Sequence, residues 1–250
     1  MTNQKKVIDL VKLYKPSVII HLAAETDLDK CEKDPARAYL INTVGTYHVA
    51  LAAREVGAKM VYVSTAGVFN GRKKGAYIEK DVPDPKNVYG HSKYLGEVVV
   101  KGIVEDYIIA RVCWMFGGGR HKDKKFIPKI IAQLDKPKIW AINDNFGSPT
   151  FSKDLIGALK TLILRGSKGV FHLNNKGRAS RYDVARKVVE LCGRKNIVIP
   201  VGRTYFNLPA ERVANEVMSS RLNITRPWRE ALKEYIETEW VGFIQNEKNS

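Results

Sequence analysis

Apolar residues recur in two rhythms along the first half of the chain. Val7, Leu10, Val11 and Tyr14 fall at helical spacing, and Ser17-Val-Ile-Ile-His-Leu22 follows as a short apolar run of the kind that makes a strand buried on both faces. A helix is predicted over roughly Pro35 to Val56, with Ala38, Ile41, Val44 and Val49 on its apolar stripe. Lys59-Met-Val-Tyr-Val-Ser64 is a second buried strand, Val88 to Lys101 a further helix, and Asp106 to Val112 a third strand. Helix and strand alternate with short connections, which predicts an α/β fold, a Rossmann-like doubly wound parallel sheet. A helix feeding a buried parallel strand at the start of the chain reads as the second half of a βαβ unit, so the sheet is expected to be N-terminally incomplete.

Beyond Gly117-Gly-Gly119 the pattern loosens. A helix over about Lys125 to Leu134 is followed by a short strand near Lys138 to Trp140, a Gly147-Ser-Pro-Thr150 turn and a helix from Lys153 to Leu164. Gly169 to Leu173 reads as a strand, Ser180 as the N-cap of a helix running to Leu191, and Trp228 to Phe243 as a final helix. This half predicts a smaller α/β lobe for substrate at about 176–250. The partial dinucleotide-binding lobe would occupy 1–145, with contributions from about 146–175.

With 250 residues, of which 44% are hydrophobic, the chain can bury a large core, and neither a spanning segment nor a leader pattern is evident. A soluble cytoplasmic protein without a membrane partner is expected. Cys31, Cys113 and Cys192 lie far apart and read as reduced thiols, and the five histidines have no metal-ligand spacing, so no metal is expected. The net charge of +16 invites a nucleic-acid reading, but the basic residues are spread along the chain without a nucleic-acid motif. A basic cleft for an anionic small molecule is expected instead.

The chemistry concentrates in Asn87-Val-Tyr-Gly-His-Ser-Lys-Tyr94, where Tyr89 and Lys93 share one helix face. A phenol with a pKa of about 10 is a poor acid at neutral pH, and a neighbouring ammonium would lower that value. Such a pair can give a proton to a carbonyl or take one from an alcohol. Thr65, 24 residues earlier at the carboxyl end of a buried strand, can hydrogen-bond the same oxygen.

Thr65, Tyr89 and Lys93 together resemble the catalytic set of the short-chain dehydrogenase/reductases, in their extended, nucleotide-sugar branch. VIIHLAAETDLDKCEKDPARAYLINTVGT (18–46), VSTAGVF (63–69), NVYGHSK (87–93), ARVCWMFG (110–117), NDNFGSPTFSKDL (143–155), PAERVANEVMSS (209–220) and PWREAL (227–232) follow in order. This series narrows the resemblance to the dTDP-4-dehydrorhamnose reductase family. It implies reduction of the 4-keto group of a dTDP-sugar by NADPH or NADH in dTDP-L-rhamnose synthesis. It also implies Tyr89 as proton donor, Lys93 on the nicotinamide ribose, and Thr65 and Ala66 with Trp114 on the substrate. Ala23, Ala24, Glu25 and Val63 would line the cofactor together with Tyr89 and Lys93.

Competing roles stay open for several of these. Trp114 can be a core aromatic, and Ala23 and Ala24 can be small because a helix packs close by. Asn42, polar in mid-helix, suggests a structural bond to a neighbouring loop. Arg111 is either an ion-pair partner within the sheet or a contact to the nucleotide diphosphate.

Two departures from the family pattern bear on substrate choice. Ala66 and Gly67 stand where an acidic and an aromatic residue commonly follow the threonine, and Glu25 stands where an aromatic residue or histidine usually follows the two alanines. A third concerns the cofactor: no G-x-G-x-x-G turn occurs, so the pyrophosphate cradle is expected to be missing and cofactor binding weak. Met1 would then align with an internal position of a longer ancestor. Alternatives are a catalytically silent reductase-like binding or regulatory subunit, and a related nucleotide-sugar epimerase or dehydratase. A nucleotide-diphospho-sugar is the expected small-molecule partner, and a homodimer is compatible with the sequence.

Overall fold

A computed structural model describes residues 1–222, 224–240 and 242. The first half contains α1 (Gln4–Tyr14), β1 (Val18–His21), α2 (Leu28–Lys33), α3 (Pro35–Tyr39), α4 (Gly45–Glu55), β2 (Lys59–Thr65), α5 (Val88–Ile103) and β3 (Tyr107–Val112). Next come β4 (Met115–Phe116), α6 (Phe126–Ile131), β5 (Lys138–Ile142), β6 (Phe146–Gly147), β7 (Thr150–Phe151), α7 (Ser152–Leu164) and β8 (Gly169–His172). The chain continues through β9 (Ala179–Ser180), α8 (Arg181–Leu191), β10 (Ile197–Val201), β11 (Asn215–Glu216) and α9 (Trp228–Glu239).

The main sheet is parallel, in the order β1-β2-β3-β8. One face packs Val61, Ile108, Ala110 and Phe171 against Leu155, Leu159 and Leu162 of α7. The other packs Met60, Tyr62 and Ile109 against Val49 and Ala53 of α4 and Val100 of α5. Helices on both faces are what near-continuous apolar strands require, and the doubly wound reading holds. A separate core joins α6, α8 and α9 through Ile130, Val188, Trp228, Leu232 and Tyr235. Strand β8 belongs to the main sheet although it follows β5, β6 and β7 in the chain, so the two layers are interleaved.

Local structure departs from the sequence pattern in three places. Strand β1 is not buried on both faces: it lies at the sheet edge with Ile20 49% and Leu22 64% exposed. Val18, Ile20 and Leu22 share a face by the two-residue alternation of a strand, and only Val18 packs into the α7-side core. The single helix expected over residues 35–56 is α3 and α4 joined by a π-helical turn at Leu40–Val44, which turns Asn42 wholly inward. The short strand at Lys138 extends to Ile142 and pairs in parallel with β10, a strand the sequence pattern does not single out. The helix from Ser180 is as expected, closed by a capping box in which Ser180 and Asp183 satisfy each other's backbone N–H. Phe243, the expected end of the last helix, lies outside the described residues.

Candidate active site

The carboxyl ends of β2 and β3 meet the first turn of α5, and glycine makes that meeting close. A Cβ on Gly90 would lie 2.1 Å from the Gly67 carbonyl oxygen, so only glycine lets α5 abut the 3-10 turn Ala66–Val68 that follows Thr65. Asn87 caps the helix by accepting the Gly90 N–H at 2.8 Å. This seats Tyr89 in the first turn beside Thr65. The Thr65 Oγ1 accepts the Gly67 N–H at 3.0 Å, which leaves the hydroxyl proton free to donate outward.

Burial pushes the Tyr89 phenol up to about 12, the Thr65 hydroxyl pulls it partly back, and Cys31, Glu216 and Cys113 raise it further. The expectation that Lys93 lowers the phenol is therefore corrected, because loss of hydration outweighs any ammonium effect. Lys93 responds in the opposite direction. It is 3% exposed, and burial depresses its ammonium to about 7, with Glu97 acting the other way.

Nζ of Lys93 lies 4.1 Å from the centre of the Tyr62 ring and has no hydrogen-bonding partner among the described residues. A ring face attracts a cation without consuming its N–H donors. The Tyr62 hydroxyl donates to the Lys93 carbonyl at 3.2 Å, and His21 stacks on Tyr62 with centroids 5.7 Å apart. Burial and the neighbouring Lys93 take His21 down to about 4, so the imidazole is neutral at physiological pH.

Asn42 ties the β1 side of the site to α5. Its Oδ1 accepts the Glu25 N–H at 2.8 Å, and its Nδ2 donates to the Glu25 carbonyl at 3.0 Å and to Ser92 Oγ at 2.9 Å. Ser92 in turn donates to the Tyr89 carbonyl at 2.8 Å. The structural bond anticipated for Asn42 is present, and it holds the segment Ala23–Glu25 in register with the helix carrying Tyr89 and Lys93. Ala23 is exposed and Ala24 half-buried there, and the Glu25 carboxylate accepts the Asp27 N–H and faces Arg37 at 3.8 Å. Val63 is half-buried and packs toward the α7-side core.

Arg111 is settled as an ion-pair partner. Its Nε and Nη2 bind the two Glu97 oxygens at 2.9 and 2.7 Å, and Ser64 Oγ donates to the same carboxylate at 2.6 Å. Arg111 is 1% and Glu97 0% exposed, so the guanidinium belongs to the sheet and not to a diphosphate. Ala66 is 1% exposed, its methyl packed with Val68, Phe69, Tyr77, Cys113 and Met218 instead of standing open as a substrate contact would.

Trp114 follows β3 with a left-handed φ of 45°. Its Nε1 donates to Glu216 Oε2 at 2.8 Å, and a Cβ on Gly147 would come within 2.6 Å of the indole. The Arg181 guanidinium covers the ring at 3.7 Å and lies 4.9 Å from Phe126. Glu216 and Cys113 act electrostatically on both Tyr89 and Arg181. Sequence reasoning missed Glu216 and Arg181. The available signal was Arg181 itself, a cation in the first turn of a helix, where the dipole favours anions.

The doubly wound parallel sheet and the chain's reductase relatives define an NAD(P)-dependent oxidoreductase of the nucleotide-sugar class. The chain belongs to the family described as RmlD substrate binding domain, whose model matches residues 1–240. It is 34% identical over 243 residues to the spore coat polysaccharide biosynthesis protein SpsK of Bacillus subtilis, covering 95% of this chain and 84% of that one. It is 37% identical to dTDP-4-dehydrorhamnose reductase of Mycobacterium tuberculosis over 227 residues, 86% of this chain and 74% of the relative. Among solved structures, dTDP-4-dehydrorhamnose reductase of Bacillus anthracis in complex with NADP superposes with a TM-score of 0.91 at 34% identity, covering 95% of this chain and 86% of that one.

Proposed function

We infer that the chain reduces the 4-keto group of a dTDP-linked deoxysugar with NAD(P)H, in the manner of a dTDP-4-dehydrorhamnose reductase. The observation that carries the reading is the Thr65–Tyr89 apposition next to a buried, hydrogen-bond-free Lys93 ammonium, in a chain whose relatives bear that name.

Raised to about 12, Tyr89 keeps its proton throughout the physiological range and holds it for the ketone oxygen. Thr65 donates its free hydroxyl proton to the same oxygen and fixes the direction of approach. The nicotinamide end of the cofactor fits the residues present: Lys93 has all three N–H donors available for ribose hydroxyls, and Ala23 is exposed and Ala24 half-buried, both with small side chains. Ala23, Ala24, Glu25, Val63, Tyr89 and Lys93 would hold it. When bound, NAD(P)H supplies the hydride to C4.

On this reading Thr65 and Trp114 contact the sugar, and Ala66 takes part through its backbone. The dinucleotide lobe is placed at 1–145 with about 146–175, and the substrate lobe at about 176–250. The +16 charge serves a nucleotide diphosphate, not a nucleic acid, and the enzyme works in the cytoplasm, with homodimerisation compatible.

The test follows nicotinamide absorbance on adding a dTDP-4-keto-6-deoxy sugar to the protein with NADPH. Oxidation coupled to formation of the 4-hydroxy sugar is expected. Binding of the sugar nucleotide with no oxidation by either NADPH or NADH would overturn the reductase reading in favour of a silent subunit.

A further inference from the structure

Two neighbouring strands and one helix converge on a single buried carboxylate. Ser64 and Arg111 are register partners across β2 and β3, and both donate to Glu97 of α5. Ser64 Oγ meets Oε1 at 2.6 Å, Arg111 Nε meets the same oxygen at 2.9 Å, and Nη2 meets Oε2 at 2.7 Å. Ser64, Arg111 and Glu97 are all buried.

The charge of Glu97 does not call for the serine. A bidentate guanidinium already neutralises the carboxylate, and Lys101 approaches it at 3.9 Å. What the serine adds is direction. Ser64 is bonded through one peptide link to Thr65, and Glu97 stands one turn beyond Lys93 and two beyond Tyr89 on the same helix.

Helix α5 meets β2 and the turn after it at three levels. Gly90 abuts the Gly67 carbonyl, and Gly96 abuts the Tyr62 hydroxyl, where a Cβ would come within 2.2 Å. Absent side chains let the helix approach closely but do not aim it. The Tyr62 hydroxyl donates to the Lys93 carbonyl at 3.2 Å, three residues before Thr65. The Ser64–Glu97 bond is shorter, is charge-assisted, and lies next to Thr65. Thr65 in turn bonds the Tyr89 phenol and accepts the Gly67 N–H. A slip of the end of β2 along α5 would therefore move Thr65 relative to Tyr89.

We propose that Ser64 is a positioning residue: its hydrogen bond to Glu97 locks the end of β2 onto α5 and so aims the Thr65 hydroxyl at the ketone oxygen that Tyr89 protonates. The inference rests on the reductase reading. Ser64 acts through Thr65, because a donor displaced by a fraction of an ångström loses much of its effect on developing charge.

The experiment is a double-mutant cycle in the full chain: wild type, Ser64→Ala, Thr65→Val and the pair, assayed with NADPH and a dTDP-4-keto-6-deoxy sugar. Ser64→Ala keeps the Glu97–Arg111 ion pair. Its kcat should fall about ten- to a hundred-fold while KM stays within about two-fold. In the Thr65→Val background no hydroxyl is left to aim, so the same change should lower kcat by less than about three-fold. Ser64→Thr keeps a hydroxyl and should recover most of the lost kcat. The protein alone supplies a second readout, the NMR resonance of the Tyr89 Cζ carbon. Ser64→Ala should shift it in the wild-type background and add nothing to the shift that Thr65→Val produces. Equal kcat in wild type and Ser64→Ala would overturn the proposal and leave the reductase reading intact. Equal fold losses in the two backgrounds would also overturn it, by showing that Ser64 supports the fold and not Thr65. A wild type that oxidises neither NADPH nor NADH would overturn the reductase reading and this role with it.

Discussion

Replacing Lys93 with methionine should make the protein more stable and inactive, and the size of the gain should depend on pH in a defined way. Lys93 is 3% exposed, has the face of Tyr62 as its nearest partner, and carries an ammonium that burial depresses from 10.5 to about 7. In the unfolded chain a lysine titrates near about 10.4. Below pH 7 both states are protonated, and folding bears the full cost of burying the charge. Between the two values the folded state has released its proton while the unfolded state keeps it, so the unfolded state binds more protons and stability rises with pH by about 1.4 kcal/mol per unit. Above the unfolded value the cost is gone. Methionine has a stem of similar length and no charge, so its advantage is greatest below pH 7 and shrinks as pH rises. Between pH 6 and pH 9 the advantage should fall by about 3 kcal/mol. Urea unfolding of both proteins at the two pH values measures this directly from the midpoints and slopes. An advantage of the same size at pH 6 and pH 9, or a variant less stable than wild type at pH 6, would refute the claim that the protein buries this charge at a cost.

Three further outcomes follow from the geometry. Asn42→Ala removes three hydrogen bonds and strands the Glu25 backbone groups, which should cost about 2–4 kcal/mol in urea unfolding, and restoring glutamine should not recover it because the longer side chain does not fit the fully buried site; recovery by glutamine would contradict the network. Glu97→Ala leaves the Arg111 guanidinium uncompensated in the sheet and should destabilise by about 3–5 kcal/mol, whereas a loss under 1 kcal/mol would place Arg111 in contact with solvent. Tyr62→Phe keeps the ring under Lys93 and Tyr62→Leu removes it, so the pH–rate profile should keep its lysine limb in the first and move it to lower pH in the second; identical profiles would show that the ring does not support the charge.

Strands β2 and β3, helix α5 and the placement of Tyr89 and Lys93 on one helix were legible because each rests on local periodicity or on spacing within one helix. The exposure of β1 was legible only through the expected N-terminal incompleteness of the sheet, which leaves this strand as an apolar edge; its own pattern does not show it, since a short apolar run reads the same at a sheet centre and at its edge. The π-helical turn at Asn42 leaves no mark in an apolar stripe of period 3.6, although the buried polar residue at its centre hinted at a bond. Two-residue strands such as β6, β7 and β11 carry too few side chains to show alternation. The Tyr89 reading considered the nearest charge, while the shift comes from tertiary burial, which spacing along one helix does not contain. Glu216 reaches Trp114 across 102 residues of sequence, and a pairing of that range is invisible without an independent constraint.

If Tyr89 delivers a proton to a ketone oxygen, wild type and Tyr89→Phe must differ in turnover rate. The phenylalanine ring preserves the packing against Gly67 and Thr65, so circular dichroism and dTDP binding should match wild type. With saturating NADPH and a dTDP-4-keto-6-deoxy sugar, kcat should fall about 100- to 10,000-fold, the span that a general acid contributes. Equal turnover by the two proteins would contradict the account and move the proton donor elsewhere in the site.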